Sequence, residues 1–371
     1  MPMNPKEYLK TCLGKVLEMK GQDLFLKVGS VPRTRVGGTV VPLPFDVLKE
    51  EDTKELTKSM LNPQQEALLE KNRSVDFAFS IAKDGQRFRA NIFYQQSTLS
   101  LVIRTLWKGI PSFEELHLPP ILKKIALERS GIILIGGAVS SGKSTTITAM
   151  IDMMNQNVER HIITIEDPVE YVHRDKKCVI NQREIGFDAN DFKSALKYVV
   201  RQSPDVIVIG EMRDAETFNF ALTSAEVGRL VIATVHARSV VQMFDRVLGF
   251  FPPEQRDQIL SQLSFNITCF CSQKLLVGKD RKTLVPAFEV MAGNYTIKQL
   301  AREKKFDKIP QAMRNFNHEG MQTFDQALLK LWKDELISTE EALAASERPQ
   351  ELQNSMQGIQ IDGASGKILG G

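Results

Sequence analysis

Four short apolar runs divide the middle of the chain: GIILIGG from Gly131, HIITIED from His161, DVIVIGE from Asp205 and RLVIATVH from Arg229. Each has the length of one strand and no polar alternation, and helix-compatible sequence separates one from the next. Strands of that kind are buried on both faces, so the pattern predicts a parallel sheet covered by helices on both sides. The first third reads differently. A helix is expected over Pro5–Lys20, then a strand at DLFLKVG and short strands beside the Gly and Pro of GGTVVPLP. Gln86 to Leu106 alternates, with Phe88, Ala90, Ile92 and Tyr94, then Leu99, Leu101 and Ile103, and predicts a hairpin. WKGIPSFEELHLPP reads as a linker. Beyond Pro252 the chain turns mostly helical, with a strand pair around KLLVGKDRKTLVPAFEV, and it ends in the Gly-rich GIQIDGASGKILGG. The expected organisation is a small α/β domain over 1–108, a linker over 109–118, an α/β domain with C-terminal helices over 119–348 and a mobile tail over 349–371.

Composition narrows the function classes. The 371 residues are 42% hydrophobic, ordinary globular material with room for two or three domains. A net charge of +3, with basic residues spread along the chain, gives no reason to expect nucleic acid or lipid as a partner. Cys12, Cys178, Cys269 and Cys271 form no CxxC pair, so no zinc is expected, and free thiols in a reducing compartment are the simplest reading. The start, MPMNPKEYLKTCLGK, lacks the apolar core of a signal peptide, and no apolar run approaches the ~18–20 residues that span a bilayer. A cytoplasmic location follows, with any membrane role coming through a partner.

GIILIGGAVSSGKSTTITAMIDMM holds G-x-x-x-x-G-K-S between a predicted strand and a predicted amphipathic helix, the setting that motif requires. The glycines let backbone N–H groups curl toward phosphate oxygens, and the helix N-terminus adds partial positive charge. The candidate nucleotide-binding residues are Gly137, Ala138, Val139, Ser140, Ser141, Gly142, Lys143, Ser144 and Thr145. Lys143 is placed to reach the β- and γ-phosphates and Ser144 to ligate Mg²⁺. GASGK from Gly363 has neither the spacing nor the flanking elements. No guanine-type NKxD follows the loop, which favours ATP over GTP.

Two later strand ends carry acids. DVIVIGE delivers Glu211, suited to Mg²⁺ directly or through water. TIEDPVEYVH supplies Glu166, Asp167 and Glu170 from a neighbouring strand, and Pro168 ends that strand so that Glu170 can face back toward a nucleotide. An attacking water needs a carboxylate to orient it and take its proton. Taken alone, EDPVE reads more readily as a charged loop capping helices.

GAVSSGKST, TIEDPVEYVH, SPDVIVIGEMRDAET and AEVGRLVIATVHA, in this order and spacing, resemble the type IV pilus retraction motors, the PilT/PilU branch of the secretion ATPase superfamily. The resemblance covers nearly the whole chain. It implies a RecA-like P-loop ATPase domain with a smaller PAS-like N-terminal domain and a helical C-terminal region. It implies Glu170 as the water-activating acid and Glu211 as the metal-side acid. It also implies a homo-hexameric ring whose ATP turnover drives pilin subunits out of the fibre. Partners implied are an inner-membrane platform protein, contacted peripherally, and a PilT paralogue; the longer tail and GMQTFDQALLKLW lean toward PilU. Extension and type II secretion ATPases of the superfamily usually carry a four-cysteine zinc segment, absent here. A secretion or DNA-uptake motor and a weakly hydrolysing subunit of a PilT ring stay open as alternatives.

The chain departs from the family pattern at two places. Ala138, Val139 and Ser140 stand where the loop usually has Pro, Thr and Gly. Arg229 stands at the first of two usual histidines, while His236 keeps the second, a candidate γ-phosphate sensor. The resemblance makes Arg87 and Arg104, then Arg89, candidates for reaching a nucleotide held by a neighbour, and Arg213 a candidate link from Glu211 to an adjacent subunit. NYTIKQLARE aligns with a helical family segment needed for retraction; its Ile297, Leu300 and Ala301 suit core packing as well.

Overall fold

A computed structural model of the chain describes residues 4–80, 86–106, 109–358, 360–361 and 368–369. It divides into two compact units. One is Met1–Ile110 with Pro168–Val172, and the other is Pro111–Asp167 with His173–Gly371.

The first unit opens with α1 (Pro5–Glu18). Asn4 caps it by accepting from the Glu7 N–H, and Pro5 suits its first turn. Leu9, Cys12, Leu13 and Val16, at helical spacing, form its buried stripe. The strands β1 (Asp23–Lys27), β2 (Arg33–Val36) and β3 (Thr39–Pro42) follow, then α2 (Glu50–Met60) and α3 (Pro63–Asn72). The unit closes with β4 (Ser74–Ser80), β5 (Arg87–Gln95) and β6 (Thr98–Thr105). These strands form one antiparallel sheet in the order β3-β2-β1-β6-β5-β4. The hairpin alternation appears as a buried face of Phe88, Ala90, Ile92, Leu99, Leu101 and Ile103. Tyr94 breaks the alternation. It is 36% exposed at the hairpin end, with the Arg73 guanidinium 5.1 Å from its ring centre. Side chains of opposite parity take the other face, where the register sets Asp23 opposite Arg104 and Arg104 opposite Arg89.

The second unit runs α4 (Ile121–Ala126), β7 (Gly131–Gly137), α5 (Lys143–Asn157), β8 (His161–Glu166), β9 (Val179–Glu184) and α6 (Phe192–Val199). It continues with β10 (Val206–Ile209), α7 (Ala215–Glu226), β11 (Leu230–Val235), α8 (Val240–Leu248) and α9 (Arg256–Asn266). The strands β12 (Ile267–Val277) and β13 (Leu284–Ala292) precede α10 (Tyr295–Arg302), α11 (Ile309–Asn315), α12 (Phe324–Lys333), α13 (Thr339–Ala345) and α14 (Pro349–Met356). The sheet order is β13-β12-β7-β11-β10-β8-β9, parallel throughout except for β13. The four apolar runs lie at its centre. Ile132, Leu134, Ile207 and Val231 face one core with α6 to α11, and Ile133, Ile135, Val208 and Ile232 face a second with α4 and α5. Burial on both faces explains why these strands lack polar alternation. This is the RecA-like α/β architecture, with a smaller α/β unit before it.

Two stretches differ from expectation. The segment read as a linker contributes Phe113 and Leu118 to the core shared with α4 and α5, because apolar side chains at that spacing are worth burying. Trp107 and Lys108 lie outside the described residues. The tail expected from 349 begins as α14, where Leu352 joins Phe324, Leu328 and Ile337 over Leu276 and Val285 of the β12–β13 hairpin. No helix among the described residues is long and apolar enough to cross a membrane.

Candidate active site

In the second unit the phosphate-loop sequence sits between β7 and α5. Gly137 (φ 151°) and Gly142 (φ 88°) hold conformations that suit glycine. A Cβ on Gly137 would come within 2.6 Å of the Gln273 carbonyl oxygen, and one on Gly142 within 2.8 Å of Gln273 Nε2. Backbone therefore packs against β12 where side chains have no room. Helix α5 has no side-chain cap and no acid in its first turn, so its N–H groups are left for an anion. Ser141 Oγ is buried there without a hydrogen-bond partner. A loop with exposed Ala138, Val139 and Ser140, a glycine cradle and an uncapped helix start fits the phosphates of a nucleotide.

Ser140 has φ 62°, left-handed for a residue with a Cβ, which costs about 1–2 kcal/mol relative to glycine. Lys143 Nζ donates to the carbonyls of Gly137 (3.0 Å) and Ala138 (2.8 Å). Burial pulls its pKa down, and the carboxylate of Glu211 works against that. Ser144 and Thr145 stand in the first turn of α5.

Glu211 follows β10. Its Oε2 accepts from Arg213 Nη2 at 2.7 Å, and its Oε1 lies 3.0 Å from His236 Nε2, at the end of β11. Burial pushes the Glu211 carboxyl up, but the hydrogen bond and charge of Arg213, with His236 and Lys143, hold it below the usual range. Thr234 Oγ1 donates to the Gly210 carbonyl, and the Met212 N–H to the Thr234 carbonyl at 2.9 Å, which pins this turn to β11. Lys143, Glu211, Arg213 and His236 thus share one electrostatic cluster. Among the described residues no three His, Cys, Asp or Glu side chains converge on a metal position. A Mg²⁺ held by Ser144 and Glu211 would take its other ligands from phosphate and water, as that ion normally does.

Glu166, at the end of β8, accepts from Thr164 Oγ1 (2.6 Å) and Gln182 Nε2 (3.1 Å). Glu170 is half-buried in Pro168–Val172, which groups with the first unit. In that unit Arg87 Nη2 donates to the Val169 carbonyl at 2.8 Å. Arg89 holds Asp76 through both Nε and Nη2, and Arg104 Nε donates to Asp23 Oδ1 at 2.9 Å. Arg229 stands before the first residue of β11, and His236 follows its last. At about 3.3 Å per strand residue the two lie at opposite ends of that strand. Arginine at the first position therefore leaves the Glu211–His236 contact untouched.

Two residues of this neighbourhood carry no motif. Gln273 is treated below. Glu289 of β13, 6% exposed, accepts from the Val240 N–H at the start of α8 at 2.7 Å. The signal for both is a polar residue inside an apolar strand run. Burial pushes the Glu289 carboxyl up to about 7 against the Val240 N–H, which favours the charged form; Glu347 and Asp325 add to the rise and Lys274 opposes it. An acid with a raised folded pKa binds more protons folded than unfolded. Its contribution is fully present below the unfolded value, 4.5, and is lost as pH rises through about 7. Between about pH 5 and about pH 8 the wild type is therefore expected to lose up to about 3 kcal/mol that Glu289→Gln does not lose. Melting curves of both proteins across that range check it; parallel curves would refute it.

A family model described as Type II/IV secretion system protein matches residues 78–350. The type IV pilus ATPase PilU of Pseudomonas aeruginosa is 39% identical over 337 residues, 91% of this chain and 88% of its own length. The type IV pilus retraction ATPase PilT of the same organism is 38% identical over 88% of this chain and 95% of its own length. The crystal structure of the pilus retraction motor PilT and bound ADP superposes with a TM-score of 0.86 at 40% identity, covering 92% of this chain and 98% of that one.

Proposed function

The chain belongs to the type II/IV secretion system ATPase family, in its pilus-retraction branch, and from that premise we propose a homo-hexameric motor that converts ATP hydrolysis into retraction of type IV pili. The observation that carries this reading is likeness to two pilus ATPases, PilU and PilT, along nearly the full length of each. The protein is an ATPase. In the proposed cycle the loop Gly137–Thr145 binds the phosphates through backbone N–H groups, and Lys143 exchanges the Gly137 and Ala138 carbonyls for phosphate oxygens. Mg²⁺, held by Ser144 and Glu211, would neutralise charge on the β- and γ-phosphates. Glu170 orients water and takes its proton. His236, tied to Glu211, responds to the γ-phosphate. Arg87 and Arg104, with Arg89 behind them, act on a nucleotide bound by a neighbouring copy. The ring works against a pilus platform protein at the inner membrane, from the cytoplasmic side.

A weakly hydrolysing accessory subunit of a PilT ring is the second reading, favoured by left-handed Ser140 in the phosphate loop. Imaging the purified protein with ATP and measuring single-pilus retraction in a deletion strain test the proposal together. Six-fold particles and lost retraction are expected. Normal retraction with failed secretion would overturn it. Rings that hydrolyse no ATP unless PilT is added would favour the second reading.

A further inference from the structure

Strand β12 reads ITCFCSQKLLV, and its Gln273 is 3% exposed. A buried amide in an apolar strand is costly unless partnered. Here Thr146 Oγ1, itself buried in the first turn of α5, donates to Gln273 Oε1 at 2.8 Å. The backbone of Gln273 pairs with Gly137 across the sheet. Its carbonyl fills the space beside Gly137, and its Nε2 the space beside Gly142. One residue thus touches both glycines that frame the loop and the helical turn that follows them.

We propose that Gln273 is a positioning residue of the phosphate loop, setting the spacing between Gly137, Gly142 and the start of α5 without touching nucleotide. The inference rests on Gly137–Thr145 being the nucleotide loop. Its physical basis is a competition at Thr146. A threonine hydroxyl inside a helix otherwise turns to the carbonyl four residues back, which bends the helix. That carbonyl belongs to Gly142 and already accepts the Thr146 N–H at 3.0 Å. By accepting the hydroxyl instead, Gln273 keeps the first turn straight and ties it to β12. A valine at 146 would have no hydroxyl to bend the helix but would release that tie and leave the buried Gln273 amide oxygen unpaired, so the turn loses its register either way. A methionine would fill the same volume but leave Thr146 to distort that turn.

Affinity for a fluorescent ADP and hydrogen exchange of the Gly137–Thr148 amides in nucleotide-free protein test this. Gln273→Met and Thr146→Val are each expected to weaken ADP about tenfold and to speed exchange of the loop amides about tenfold. The double variant should be no worse than either single, because the two side chains act as one pair. Thr146→Ser, which keeps the hydroxyl, should restore affinity to within about twofold of wild type. Additive losses in the double variant would overturn the proposal. So would Gln273→Met with ADP affinity and loop exchange unchanged and only the melting temperature lowered. Should Gln273→Met fail to fold, the contrast between Thr146→Val and Thr146→Ser decides in the same way. Lys143→Ala separates the two levels. If it binds ADP normally, the nucleotide-loop reading fails; if it loses ADP while Gln273→Met and Thr146→Val do not, only the positioning inference fails.

Discussion

Glu170→Gln is expected to lower steady-state ATP turnover by about 10²–10⁴-fold with ADP affinity close to wild type. The amide keeps the shape of the carboxylate and removes its capacity to take a proton from water. The three acids of TIEDPVEYVH divide by their surroundings. Glu166 is held by Thr164 and Gln182, which marks it as part of the strand end. Asp167 is exposed, and its charge acts on Arg213. Glu170 lies beyond Pro168, in a turn whose Val169 carbonyl is held by Arg87. Turnover measured at saturating ATP, beside a binding titration, checks the assignment. Near-wild-type hydrolysis in Glu170→Gln would move the general base elsewhere, and a comparable loss in Glu166→Gln would make it that residue.

The second large effect is expected at Arg104. Cations supplied to the developing charge of phosphoryl transfer are worth about 10³–10⁵ in rate, so Arg104→Ala should lose on the order of 10³ in kcat with nucleotide affinity changed only severalfold. Arg89 is clamped on Asp76 through two nitrogens, whereas Asp23 engages Arg104 through Nε and leaves the side chain 61% exposed. If the arginine serves a neighbour's nucleotide, mixing Arg104→Ala with Glu170→Gln protein should recover part of the turnover that each lacks alone. At mixed interfaces an intact arginine then faces an intact acid. No recovery at any mixing ratio would place Arg104 in its own subunit's site or in folding alone.

The sequence made the centre of the second unit legible because β7, β8, β10 and β11 are buried on both faces and read as unbroken apolar runs. The loop between β7 and α5 was legible because its glycines keep fixed spacing. Strand β9, VINQRE, carried no such run: at the sheet edge one side of it meets solvent. The pairing of β12 with β7 was hidden too. Gln273 and Ser272 interrupt its apolar run, and their partners, Thr146 and the Ala237 carbonyl, are far away in sequence. Arg213 is two residues from Glu211, so their link is legible in the sequence, but the meeting of His236 with Glu211 depends on β10 and β11 being neighbours, which periodicity does not encode. Helix α14 has one buried anchor, Leu352, too weak a pattern to separate from a polar tail.

The sheet order has a consequence for synthesis. Strand β7, which ends in the phosphate loop, pairs with β11 from Gly131↔Leu230 and with β12 at Ile133↔Cys269. Neither neighbour exists on the ribosome until on the order of a hundred further residues have been made, at roughly 5–20 residues per second. For those seconds a strand buried along its whole length in the finished protein has both edges open, the exposure that makes slow parallel sheets prone to aggregate. A nascent chain that stops before Val277 therefore has the whole phosphate-loop sequence and no completed floor for it. ADP capture by stalled chains of increasing length should appear only once β12 has cleared the exit tunnel.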